Sequence, residues 1–135
     1  MEIMVVDSDR VSLERTAALL RGRYPDARVL SMDDGMEAVQ YACSHPVDAV
    51  YTEVLLPRIN GFDVARLVRK FRPESRGYVV SRTAAHLDRA RREGFSGYFL
   101  KGAAEPESDL MQEVPRGAAR FPARARTQRG EEACL

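Results

Sequence analysis

No stretch of this sequence approaches the roughly 18 consecutive apolar residues that a membrane span needs, so no membrane partner is expected. Met1 is followed at once by an acid and a short apolar run, which predicts that no secretory signal is present. There are only two cysteines, Cys43 and Cys134, far apart and in no metal-ligand or redox motif. They are expected to be free thiols of a cytoplasmic protein. Charge of either sign is not in excess: the net charge is +1, which gives the chain no electrostatic reason to seek nucleic acid or an anionic surface. Lysine is scarce, with only Lys70 and Lys101 among 21 lysines and arginines. Where arginine fills nearly every generic position, a surviving lysine marks a candidate need for a compact point charge. Codon bias is the plain alternative.

What is present fits one soluble domain. A chain of 135 residues with 44% hydrophobic and 30% charged residues can bury a core and leaves little for a second domain. Its first hundred residues alternate strand and helix signals. Strands are predicted over 2–6 (EIMVV), 27–31 (ARVLS), 48–52 (DAVYT), 78–81 (YVVS) and 98–100 (YFL). Helices are predicted over 10–24, 35–44, 60–71 and 84–93, punctuated by Pro25, Pro46 and the Asn60-Gly61 pair. Asp33 and Asp34 read as a turn with helix-favouring acids. Such alternation predicts an α/β fold with a parallel sheet covered by helices on both faces. The first strand is expected to be central, and the chain reverses between the first and third strands, opening a crevice at the carboxyl edge of the sheet. Four residues should converge there: Asp7, Glu53, Ser81 and Lys101, each at the same end of a different strand.

The texture changes after Lys101. A short helix is predicted from Asp109 to Val114, and the rest, 115–135, reads as a basic, disordered tail. It carries Arg116, Arg120, Arg124, Arg126 and Arg129 but almost no large apolar residue. A solvated tail is the preferred reading over a nucleic-acid arm.

In that order and register, VVDSD, YTEVLLPRINGFDV, YVVS and FSGYFLK resemble the receiver domain of two-component response regulators, over residues 2 to about 114. The spacing from Ser81 to Lys101, with SGY before the fifth strand's end, is most similar to receivers that precede LytTR-type DNA-binding domains. The resemblance implies a flavodoxin-like, five-stranded sheet of order 2-1-3-4-5, with a receiver domain over 1–114. It implies a phosphoacceptor at position 53, fed by a histidine kinase, and magnesium held by that residue, an acid after the first strand and a backbone carbonyl. It gives Lys101 the phosphoryl contact, Ser81 the hydroxyl that closes onto the phosphoryl group, and Tyr98 the aromatic that follows it inward. Thr83, beside Ala84, competes with Ser81 for the hydroxyl role. A homodimer through the fourth helix, fifth strand and fifth helix is among the partners implied.

The sequence departs from that pattern at the chemistry itself. Glu53 stands where the family has aspartate, and Ser8 stands at the second position of the acidic pair, between Asp7 and Asp9. Gly102 replaces the proline after the lysine, and the last helix is short. Lengthening the acceptor by a methylene displaces its carboxylate by roughly an ångström, a misplacement that can cost about a hundredfold in rate. Loss of an acid at position 8 removes a hard ligand that magnesium tolerates losing badly. Asp7 and Glu53 are the metal positions that remain, holding magnesium weakly or not at all. Asp9 reads as a helix cap. His45 and His86 lack a partner cluster.

The leading expectation is therefore a non-enzymatic pseudo-receiver that acts through protein contacts. A second is the receiver half of a truncated DNA-binding regulator. A flavodoxin-like enzyme or nucleotide binder is disfavoured, because no glycine-rich loop follows the first strand and no nucleophile-base pair is visible.

Overall fold

The alternation of strand side chains decides the layering. The computed structural model describes residues 1–101 and the backbone of 111–113. In β1 (Glu2–Val6), Ile3 and Val5 face one helical layer while Met4 and Val6 face the other. Successive side chains of a strand point to opposite faces, and both faces of this strand are buried. On the first face α1 (Arg10–Arg23) supplies Leu13, Ala17 and Leu20. On the second, α2 (Gly35–Ser44), α3 (Gly61–Phe71) and α4 (Leu87–Arg92) enclose the larger cluster, with Phe62 and Tyr98 fully buried in it. The remaining strands are β2 (Arg28–Met32), β3 (Ala49–Thr52), β4 (Arg76–Ser81) and β5 (Gly97–Lys101). All five are parallel in the order β2-β1-β3-β4-β5, the flavodoxin-like arrangement expected.

Helix starts follow local chemistry. Asp9 accepts from the Val11 and Ser12 amides, Asp34 from Met36, and Asn60 from Asp63, each satisfying a donor the first turn leaves open. The Arg58 guanidinium and the Met36 amide hold the half-buried Asp34 carboxyl below its ordinary range. Thus Asp34 is a cap, as the Asp33-Asp34 turn suggested.

Two expectations are corrected. The helix predicted over 84–93 forms only over Leu87–Arg92, because the Thr83 hydroxyl takes the Ala85 amide and the Thr83 carbonyl is taken by the Tyr98 hydroxyl. A turn so occupied cannot open the helix. The helix predicted over Asp109–Val114 is instead a strand where it is described: β6 (Met111–Glu113) pairs antiparallel with β5. Six residues are too few to nucleate a helix unaided, whereas an open strand edge offers unpaired backbone groups. Cys134, the predicted basic tail and Gly102 lie outside the described residues.

Three aromatic rings line the α1 face of the sheet. Tyr51 stacks on Tyr78 with ring centroids 4.5 Å apart, and Phe99 lies 6.2 Å from Tyr51. Burial, reinforced by Tyr78 and Tyr24, pushes the Tyr51 phenol well above the ordinary tyrosine value of 10.0. A folded-state value raised above the unfolded one holds the proton more tightly in the native protein. That contribution to stability is complete below about pH 10 and is lost as pH rises above it. Urea unfolding between about pH 8 and 11 is expected to show this decline, and Tyr51→Phe should flatten it. An equal slope in the variant would remove Tyr51 as its source.

Candidate functional site

Asp7 and Glu53 become neighbours through the sheet. The Glu53 amide donates to the Val6 carbonyl at 3.0 Å, which fixes the residue after β3 beside the residue after β1. Lys101, at the end of β5, reaches past β4 to both. Its Nζ donates to Asp7 Oδ2 at 2.8 Å and lies 2.9 Å from Glu53 Oε2. The three side chains are 6%, 14% and 11% exposed for Asp7, Glu53 and Lys101, so the bridge is sheltered from screening.

Each carboxylate has further donors. Asp7 Oδ2 accepts from the Ser12 hydroxyl at 2.8 Å, and Oδ1 from the Asp9 amide at 2.9 Å. Glu53 Oε1 accepts from the Val54 amide at 2.6 Å. Charge-assisted bonds of this kind are short and roughly twice as strong as neutral ones. Asp9 turns away: its carboxylate caps α1 and lies 3.5 Å from Arg82. Ser8 is exposed and contributes no carboxylate.

Ser81 is buried at the end of β4, whereas Thr83 is exposed in the following turn. The Thr83 amide approaches Ser81 Oγ at 3.4 Å. Tyr98 is fully buried; its hydroxyl donates to the Thr83 carbonyl at 2.8 Å and accepts from the His86 amide at 3.3 Å. Burial raises the Tyr98 phenol, against the opposing pull of the His86 amide and the Ser81 hydroxyl. The hydroxyl-aromatic pair is therefore joined through the β4–α4 turn and not by the helix that was predicted there.

The structure thus gathers Asp7, Glu53 and Lys101 in one cluster, sets Ser81 and Tyr98 on the adjoining strands, and leaves Ser8, Asp9 and Thr83 outside the bridge. Sequence reasoning missed Ser12, the Val54 amide and Gly61, whose Cα packs so closely on the Glu53 carbonyl that a Cβ would collide with it. Ser12 was findable as the first-turn hydroxyl of the helix that follows Asp7. A backbone amide leaves no mark in a sequence.

Asp7 and Glu53 are the carboxylates that would hold magnesium. The ion asks for near-octahedral oxygen ligation anchored by carboxylates. Here the two carboxylates are already engaged by Lys101, Ser12 and amides, and no third acid, histidine or cysteine joins them among the described residues.

An open parallel sheet with helices on both faces, and two acids and a lysine gathered at the carboxyl ends of its strands, defines the class of doubly wound α/β domains. A model of the response regulator receiver domain matches residues 3–114, and this chain belongs to that family. A response regulator receiver protein of Anaeromyxobacter sp. (strain Fw109-5) is 28% identical over 105 residues, covering 76% of this chain. The chain spans 43% of that relative's length. The signal receiver domain of an HD domain-containing protein from Pseudomonas fluorescens Pf-5 is similar in structure at 26% identity and a TM-score of 0.65, covering 74% of each chain. The chemotaxis response regulator CheY4 of Vibrio cholerae shares the fold, with a TM-score of 0.66 at 19% identity over 78% of this chain and 89% of that one. Receiver domains work with histidine kinases and other signalling proteins, and typically bind magnesium at the phosphorylation site. No helix among the described residues is long and apolar enough to cross a membrane.

Proposed function

We propose that this chain is a non-enzymatic pseudo-receiver of the cytoplasm, in which an internal ion pair replaces the phosphoryl contact. One observation carries the reading: Lys101 Nζ lies within 2.9 Å of both Glu53 Oε2 and Asp7 Oδ2. In the family's scheme the lysine meets a phosphoryl oxygen, and here the longer glutamate carboxylate already reaches it. Tyr98 is also fully buried, in keeping with an inward switch aromatic. A sheltered charge-assisted contact supplies about 1.5–3 kcal/mol, short of the roughly 5.5 kcal/mol that a complete reversal of a two-state population requires. The module is therefore biased toward the activated arrangement and not locked in it, and it signals through protein contacts. Leu55 and Val11, 73% and 64% exposed, flank the loops around the crevice and suit such contacts. The expected dimer face of fourth helix, fifth strand and fifth helix lacks that last helix among the described elements, where β6 borders β5 instead.

The test is titration with magnesium and beryllofluoride, followed by NMR, of the natural chain, Glu53→Asp, Ser8→Asp and the double variant. The natural chain should show no metal-dependent shift at Asp7 or Lys101, and the double variant should recover one. A stable acyl-phosphate on Glu53 after treatment with a small phosphodonor and magnesium would overturn the reading.

A second reading has one supporting observation: the chain spans only 43% of the length of the Anaeromyxobacter relative. On that reading it is the receiver part of a longer regulator whose remainder binds DNA, and the Ser81–Lys101 spacing favours a LytTR-type output. The downstream genomic sequence decides, since an open frame encoding such a domain is required.

A further inference from the structure

A groove of about 690 Å³ runs along α3, between that helix, the start of β4 and the α4–β5 connection. It reaches the amino-terminal edge of the sheet at Ser75, Arg76 and Ser96, whereas Asp7, Glu53 and Lys101 occupy the carboxyl edge. Six cations line it, Arg66, Arg69, Lys70, Arg76, Arg89 and Arg92, against the carboxylates of Asp63, Glu74 and Glu93. A two-to-one excess of positive charge in one concavity is notable in a chain whose net charge is +1.

Several of these cations are already committed. Arg66 lies 3.2 Å from Asp63, and Arg89 lies 2.7 Å from Glu93 while its guanidinium rests over the Phe62 ring at 4.2 Å. Arg69 donates to the Gly94 carbonyl at 3.2 Å, tying α3 to the α4–β5 turn and holding the groove's walls in place. Lys70, Arg76 and Arg92 make no side-chain ion pair among the described residues, and they come from three different elements. Ser75, which is buried (2% exposed), also lines the groove.

We propose that the α3–α4 groove is a binding site for a small polyanion of the pyrophosphate or phosphate-ester class. Its volume falls within the range of small-molecule sites, roughly 300–1,000 Å³. Convergence of three cations from separate elements, with no side-chain ion pair among the described residues, suits a compact ligand bearing several charges, as phosphate groups do. Phe62 and Phe95, which also line it, are buried, so recognition rests on charge and not on stacking. This site does not depend on how Glu53 is read, since no groove residue belongs to the Asp7–Glu53–Lys101 cluster.

The test is NMR titration of the full chain with sodium pyrophosphate in the absence of divalent metal. Saturable shifts are expected at the amides of Ser75, Gly94 and Ser96. Lys70→Glu and Arg92→Glu, both at exposed positions, should each weaken binding by about tenfold or more, the scale of one charge-assisted contact. Arg21→Glu, an equal charge change on the exposed side of α1, should leave it unchanged. The proposal is overturned if no saturable shift appears, or if the shifts map to Asp7, Glu53 or Lys101. Equal weakening by Arg21→Glu would show diffuse charge attraction only and also overturns it. A poly-glutamate peptide that outcompetes pyrophosphate would make the groove a protein-docking surface in its place.

Discussion

Lys101→Met is expected to destabilise the protein by about 3–5 kcal/mol, the range for removing one partner of a buried ion pair. Methionine preserves the length and most of the volume of the side chain, so the loss reports charge and not a cavity. Without the ammonium, the Asp7 and Glu53 carboxylates remain side by side with no cation between them, each largely shielded from water. Asp7 would keep Ser12 and the Asp9 amide, and Glu53 would keep the Val54 amide, so desolvation is only partly offset. Adding Glu53→Gln removes one of the two facing charges and should recover a large part of the loss. Urea unfolding of the single and double variants at one pH and low salt measures both steps. A loss below about 1 kcal/mol would place the bridge among ordinary surface pairs and remove the physical basis for an internal substitute for the phosphoryl contact.

Gly61→Ala is expected to cost about 3 kcal/mol or more, at or above the upper end of ordinary overpacking. A Cβ there would lie 2.1 Å from the Glu53 carbonyl oxygen and 3.0 Å from its carbonyl carbon. Neither atom can swing aside, because both are backbone of the residue that presents the carboxylate. Either the first turn of α3 withdraws or the Glu53 peptide moves, and the second course also disturbs the 2.9 Å approach to Lys101. Gly22→Ala is the matched control: nothing lies within 4 Å of the added carbon, and relief of glycine's helix penalty should give a gain of up to about 1 kcal/mol. Thermal unfolding of the two variants separates these outcomes. A Gly61→Ala protein as stable as the parent would mean that the β3–α3 connection yields freely.

These two positions show unequal legibility. Lys101 was visible in the sequence because lysine is rare here and falls at a strand end. Its partners were visible because strand ends on one edge of a parallel sheet must meet. Gly61 was read only as turn punctuation, although it is the point where α3 presses on the Glu53 backbone. The long fourth helix was overcalled from charged residues with helical propensity, since nothing local reveals that Tyr98 would claim the Thr83 carbonyl 15 residues away. The 109–114 segment was misread for a related reason. Where it is described, at 111–113, its backbone groups gain more from the open edge of β5 than six residues gain from a helix of their own.

By itself, the sequence determined the order of elements from β1 to β5, their parallel pairing and the residues that would share the carboxyl edge. Those follow from side-chain periodicity and chain direction, which are local properties. Tertiary structure alone decided how the edge residues are wired: Lys101 between Asp7 and Glu53, Asp9 turned to its helix, and Ser12 and the Val54 amide completing the carboxylates. It alone also brought cations from three elements into the α3–α4 groove. Such contacts depend on distances of a few ångströms between residues far apart in the chain, and periodicity carries no information about them.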